Sequence, residues 1–227
     1  MVQIREATTT DSDVVAKLIH HTWPPQQPSA AQIEKVQERP DHTLLVAEQD
    51  GRVAGFVSGF GTRAQDGTRR WELDLLAVDS GARGKGIGKT LIRACSQVAR
   101  QHGTSVIRTL VRADNASMMT ACRACNYQQE TIERQLMIGM PNAEANGFSA
   151  SSGIHLVEVH TLTYSGLWIE GEFEDGCFQH ARQELDKRGL NAAGALVPTV
   201  EPQSIQAAAS AGYTAVAAYH FWTFALK

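Results

Sequence analysis

The residues with the clearest chemical potential are six in a row, Arg83-Gly84-Lys85-Gly86-Ile87-Gly88, followed at once by Lys89. Three glycines at alternating positions let a backbone come close to a ligand. The helix expected to follow offers unpaired N–H groups and a partial positive charge, and Arg83, Lys85 and Lys89 add cationic side chains. That combination is an anion site suited to a diphosphate. Spacing narrows the kind. A nucleoside-triphosphate loop ending at Gly88-Lys89-Thr90 would need glycine at position 83, which is Arg. A dinucleotide fingerprint beginning at Gly84 would need glycine at 89, which is Lys. What remains is R-x-x-G-x-G. Cys122-Arg123-Ala124-Cys125 invites a zinc or redox reading, but no second Cys or His pair at ligand spacing accompanies it, and both thiols lie well inside an expected helix. No metal site is expected.

The elements that must position this loop can be read around it. Residues 2–7 read as a strand, and Thr10-Asp11-Ser12-Asp13 as the cap of a helix with Val14, Val15, Leu18 and Ile19 on one face. Pro24-Pro25 forces a loop, and Ser29 with Gln32 starts a second helix. Asp50-Gly51 between Leu44–Glu48 and Val53–Ser58 predicts a tight antiparallel hairpin. Trp71–Val78 is a strand that runs into the glycine turn, and Leu91, Cys95, Val98 and Ala99 recur at helical spacing up to Gly103. Ser105–Val111 reads as a buried parallel-type strand, Asn115 opens another helix, and Tyr127–Ile138 is a long strand. The order β-α-α-β-β-β-α-β-α-β is an α/β fold.

Leu76-Ala77-Val78 followed by Arg83–Gly88 at the mouth of a helix resembles the acyl-CoA pyrophosphate loop of the GNAT superfamily of N-acyltransferases, and the likeness covers residues 1–140. Asn115 matches the family's later motif, and Asn126-Tyr127 stands in for its Gly-Phe pair. The resemblance implies a mixed central sheet flanked by helices and acetyl-CoA as donor. The pantetheine arm would pair with the backbone of Leu76, Ala77 and Val78 where two strands splay. The diphosphate would take the amides of Arg83, Gly84, Lys85, Gly86, Ile87, Gly88 and Lys89. Acyl transfer to an amine needs a base for the ammonium proton and a way to stabilise the departing thiolate. Glu72 and Asp74 alternate on the donor strand, point to one face, and either one serves as that base; a solvated open face is the alternative for each. Family members usually carry a Tyr seven residues after the Asn as acid for the thiolate; here that position is Cys122, a shorter side chain and weaker donor. Cys122 is therefore either the altered acid or a small core residue. His21 and Trp23 lie in the connection that lines the acceptor pocket in similar proteins. The resulting expectation is an N-acetyltransferase for a primary amine of a small molecule or peptide, working by direct attack. A non-catalytic acyl-CoA-binding or regulatory module is the competing class.

The chain has 227 residues, room for one domain and a fraction. A net charge of −3 supplies no broad basic field, which argues against nucleic acid. A polar N-terminus and the lack of a long apolar run argue against membrane and for the cytoplasm. Residues 141–153 have linker composition, placing a first domain at 1–140 and a second part at 154–227. An offset of 86 sets Glu158 on Glu72, Leu162 on Leu76, Gly189 on Gly103, Leu196-Val197 on Leu110-Val111 and Tyr213 on Tyr127, the mark of a degenerate half-repeat. On that offset Ile169–Asp175 replaces the cradle with carboxylates that would repel a diphosphate. Such a half cannot close its own sheet, so the first domain or a homodimer partner must complete it. The closing strand Tyr213–Leu226 is apolar on both faces and calls for cover on both.

Overall fold

The structure, a computed structural model, describes residues 2–142, 153–174 and 176–226. β1 (Val2–Glu6) leads through a 3-10 turn, Thr9–Asp11, into α1 (Ser12–Thr22). Asp11 heads that helix without capping it: its carboxylate accepts from the Thr8 N–H and pairs with Arg5 at 2.7 Å. α2 (Ala30–Gln37) starts at Ser29, whose hydroxyl accepts from the Gln32 N–H. β2 (His42–Gln49) and β3 (Arg52–Arg63) turn at Asp50-Gly51, both with positive φ, as the dipeptide requires. β4 (Arg69–Val78), α3 (Ile87–Gln101), β5 (Val106–Arg112), α4 (Ala116–Ala124) and β6 (Gln128–Gly139) follow in the expected order. Beyond residue 153 come β7 (Ile154–His160), β8 (Ser165–Gly171), α5 (Cys177–Arg188), β9 (Ala192–Pro198), α6 (Pro202–Ser210) and β10 (Thr214–Ala225).

All ten strands form one sheet in the order β1-β2-β3-β4-β5-β10-β6-β9-β8-β7. β10 lies between β5 and β6, antiparallel to both, and β6 pairs in turn with β9. Each half thus hands its last strand to the other, and the unpaired edge of a partial sheet is closed within the chain. β9, α6 and β10 begin at 192, 202 and 214, each 86 positions after β5, α4 and β6 at 106, 116 and 128. Earlier in the halves the offset is different. Gly166 pairs with Ala192 as Arg70 pairs with Val106, so β8 follows β4 by 96 positions. Glu158 and Leu162 therefore fall on β7 and the β7–β8 turn and are not counterparts of Glu72 and Leu76. The second half has lost residues between its strand and its helix, and a gapless offset cannot see that. Of the carboxylates set against the cradle, Glu170 belongs to β8, and Asp175 lies outside the described residues.

Strand alternation sorts the faces. Ile107, Val111 and Trp222 join Leu91, Cys95 and Cys122 in a core under α3 and α4. Ala193, Ala195 and Val197 join Phe178, Ala181 and Leu185 in a second core with α5. The opposite face carries α1 and α2 over Val46, Phe56 and Ala77. It is also concave. Val157 and Val159 of β7 pack on Phe60 of β3, and the His42 Nε2–H donates to the His160 carbonyl at 2.6 Å. β7 and β3 stand far apart in strand order, so this contact is possible only because the twisted sheet curls round a cleft.

Candidate active site

The cleft opens where two parallel strands part. β4 and β5 are paired from Arg70 with Val106 to Leu73 with Thr109, and then diverge although both continue. A register slip against β3 at this point sets Leu76 opposite Val57 and Leu73 opposite Gly59, and the Leu75 N–H donates to the buried Ser58 Oγ at 3.2 Å. The parted strands border a cleft of about 1480 Å³ lined from both halves of the chain.

At one end of this cleft lies the glycine turn. Gly84 and Gly86 have φ of +78° and +82°, a conformation that side-chain-bearing residues rarely adopt. Gly86 is the N-cap of α3, so the first amides of that helix open toward the turn. Arg83 is exposed and its Nε–H donates to the Val78 carbonyl at 3.1 Å, tying the cradle to the end of β4. Leu76, Ala77, Val78, Arg83, Gly84, Gly86, Ile87, Gly88, Lys89 and Asn115 all line the cleft. Lys85 is exposed outside that lining, its ammonium reaching the Gly81 carbonyl at 3.4 Å. Asn115 also caps α4 by accepting from the Met118 N–H. With exposed cations and free helix amides, these residues fit a diphosphate.

Glu72 and Asp74 both line the cleft, but their surroundings differ. Glu72 Oε1 accepts from Thr62 Oγ1 at 2.6 Å and Arg108 Nε at 2.9 Å, and Oε2 lies 2.8 Å from the same Nε. Both of its oxygens already hold hydrogen bonds. Asp74 carries Oδ2 sealed from solvent with no hydrogen-bond partner, and burial, aided by the nearby charge of Glu72, pushes its carboxyl up to about 7. A carboxylate in that state takes up protons near neutrality.

The remaining expected residues separate. Trp23 lines the cleft together with Thr22 and Gln26; His21 is exposed and does not. Cys122 is fully buried in the α3–α4 core and absent from the cleft wall, and burial, with Cys125 beside it, pushes its thiol up to about 12. Its short side chain is covered by the helices it packs between. α4 accordingly places no acid at the cleft through position 122.

The second half supplies what the sequence reading did not name. Glu170 of β8 accepts from Arg70 Nη1 at 2.9 Å and Arg108 Nη2 at 2.6 Å. Arg70, Glu72, Arg108 and Glu170 thus form a four-membered ionic floor that joins β4 and β5 to β8. Burial alone would pull the Arg108 guanidinium down, but the charges of Glu72 and Glu170 outweigh it and hold it up. Arg108 also lies over the Phe221 ring of β10, 4.6 Å from its centroid. Tyr164 and Trp168 stand in the cleft wall, with Trp168 Nε1 donating to Tyr164 Oη at 2.8 Å. A signal for part of this was present: Arg108 in VIRTLVR and Glu170 in GLWIEG are charges set between apolar strand residues, which demand a partner across the sheet.

A model of the acetyltransferase (GNAT) family matches residues 12–127, which hold the cradle, Glu72, Asp74 and the α4 cap. The chain belongs to this family. This GNAT chain is 35% identical over 74 residues to an L-2,4-diaminobutyric acid acetyltransferase of Nocardia farcinica, a stretch of 32% of this chain and 37% of that protein, so the match spans little over a third of the curated relative's length. Among solved structures, a ribosomal-protein-alanine N-acetyltransferase from Brucella melitensis shares 25% identity at a TM-score of 0.53, covering 59% of this chain and 88% of its own. Two others share the fold over nearly the whole chain. A Pyrococcus horikoshii protein covers 100% of this chain and 90% of itself at a TM-score of 0.64 and 12% identity. The glucosamine N-acetyltransferase region of a fungal multi-domain β-N-acetylglucosaminidase covers 99% of this chain and 38% of its own at 0.64 and 14%.

Proposed function

We propose that this protein is an N-acetyltransferase that moves the acetyl group of acetyl-CoA to a primary amine by direct attack, with Asp74 as base. The observation that carries the reading is the single cleft in which the glycine cradle, the parted β4–β5 backbone and Asp74 meet. Amides of the Arg83–Lys89 turn hold the diphosphate, and Leu76, Ala77 and Val78 border the pantetheine arm. The acceptor nitrogen attacks the thioester carbonyl carbon, Asp74 takes its proton, the C–N bond forms and the C–S bond breaks with its electron pair on sulfur. Backbone N–H groups at the splay favour the developing oxyanion. Trp23, Tyr164, Trp168 and Phe221 surround the acceptor above the ionic floor. This wall suits a small amine or a peptide end. The similarity to a diaminobutyric acid acetyltransferase makes L-2,4-diaminobutyrate the first acceptor to try.

Calorimetry with acetyl-CoA tests the donor site. Wild type should bind, and Arg83→Glu should weaken binding about tenfold or more by setting a carboxylate against the diphosphate. No heat with the wild-type protein at millimolar donor would remove the assignment. One observation favours a second reading, a non-catalytic acyl-CoA-binding module: Cys122 is buried away from the cleft. Thiol release monitored over a panel of diamines, amino acids, amino sugars and peptides decides between them, since the module binds acetyl-CoA and releases none.

A further inference from the structure

We propose that Arg134 of β6 is a specificity-determining residue that holds a carboxylate of the acceptor, so that the substrate class is an amino acid whose reacting amine stands several bonds from its carboxylate. The inference rests on the acyl-transfer reading above and names the acceptor class which that reading leaves open. It begins with the charges of the cleft wall. Arg70 and Arg108 are matched by Glu72 and Glu170, two cations against two anions at 2.6 to 3.5 Å. Arg112 pairs with Asp114. Arg83 and Lys89 stand at the glycine turn, where a diphosphate uses them. Among the described residues of the wall, that leaves the guanidinium of Arg134, whose partner Glu130 is not part of the wall.

Arg134 is held ready to use that charge. Its guanidinium lies over the Phe221 ring, 5.1 Å from the centroid, and Nη1 donates to Glu130 Oε2 at 3.0 Å and to the Ile132 carbonyl at 3.2 Å. Nε and Nη2 have no acceptor among the described residues. These two nitrogens form one edge of the guanidinium, the fork that a carboxylate meets with both oxygens. A phosphate dianion would bring a second negative charge for which this wall has no further cation. The path to Asp74 sets the length of the acceptor. Leu73 pairs with Thr109 and Leu110 with Phe221, so the row of Asp74 leads across β5 to the ring beneath Arg134. Two strand spacings make about 10 Å. With its amine at Asp74 and its carboxylate at Arg134, the acceptor carries the two groups at opposite ends of a chain of several atoms, not on one carbon. Trp23, Tyr164 and Trp168 in the same wall offer apolar surface to the methylene groups between them.

Thiol release from acetyl-CoA by the full-length protein is followed with L-2,4-diaminobutyrate, 5-aminopentanoate and 6-aminohexanoate, each against its own carboxamide. The wild type should favour the acid in kcat/KM by about tenfold or more in the best of these pairs, the difference falling on KM, because acid and amide present the same amine and only the acid fills the fork. In Arg134→Gln the preference should shrink to about twofold or less, whereas a substitution felt only by the fold lowers acid and amide together. Equal use of acid and amide by the wild type, a preference that survives Arg134→Gln, or turnover confined to amines outside this series overturns the proposal and leaves the acetyltransferase reading standing. Binding of acetyl-CoA without thiol release to any amine overturns that reading and this proposal with it. Should Arg134→Gln lose its circular dichroism spectrum, Arg134→Lys, which keeps the charge and gives up the fork, is expected to reduce the preference about threefold or more; an undiminished preference there is equally fatal.

Discussion

Two carboxylates two residues apart on β4 meet opposite environments. Glu72 is neutralised by Arg108 and Arg70, whereas Asp74 has neither a cation nor a donor for its sealed oxygen. Replacing each should therefore break something different. Asp74→Asn is expected to lower turnover about 10²-fold or more with acetyl-CoA affinity unchanged, and to abolish the fall in wild-type rate as pH drops through about 7. A retained acidic limb in a pH–rate profile of the variant would clear Asp74. Stability should move the other way. The folded protein keeps a proton on Asp74 that the unfolded chain has released above about 4, so this group makes the fold less stable as pH rises from about 4 to about 7. Asp74→Asn should melt above wild type at about pH 8, beyond the window, and with it at about pH 4, read by thermal denaturation. Glu72→Gln should instead cost about 2–4 kcal/mol of stability by leaving buried guanidinium groups short of a partner, measured by denaturant unfolding, and should keep the acidic limb but move it to lower pH, because the charge that helps hold the Asp74 carboxyl up is gone.

At the scale of elements, the cradle depends on backbone shape more than on side chains. Gly86 caps α3 at a φ of +82°, yet a Cβ built there would meet nothing closer than Lys89 Cε at 3.9 Å. Space is available; the backbone conformation is not. Gly86→Ala is thus expected to destabilise by about 1–2 kcal/mol through strain alone and to weaken acetyl-CoA binding, because relieving the strain turns the first α3 amides away. Unaltered calorimetric affinity in that variant would show that the turn does not need its left-handed residue. The β7–β8 hairpin, for its part, is held over the cleft by Leu162 in an apolar core and by Glu170 on two arginines. Neither anchor is local in sequence.

For the whole molecule, the exchange of last strands makes the halves interdependent. Removing everything after residue 140 would strip β10 from between β5 and β6 and leave both with open edges. Residues 1–140 alone should accordingly be aggregation-prone, judged by light scattering, while the intact chain unfolds in one transition. Trp71 reports on the first half and Trp168 on the second; single-tryptophan variants keeping one or the other should give coincident denaturant curves. Separate midpoints would mean that the shared strands do not couple the halves.

The sequence by itself determined the local elements and the glycine turn. Asp50-Gly51, Ser29 and Asn115 act through the backbone groups next to them, and the Arg83–Gly88 pattern acts through its own amides, so nearest-neighbour physics suffices to read them. Tertiary structure alone decided which side chains meet in the cleft. Glu72 and Asp74 look equivalent in WELDLL and become an ion-paired residue and an unpaired one only when Arg108 and Glu170 arrive from β5 and β8. Cys122 is aligned with an acid and is sealed in a core, while Tyr164 lies in a stretch with no motif and reaches the cleft because the sheet curls and the halves trade strands. Desolvation and charge pairing depend on what surrounds a group in space, and alternation along a strand tells only which face it is on.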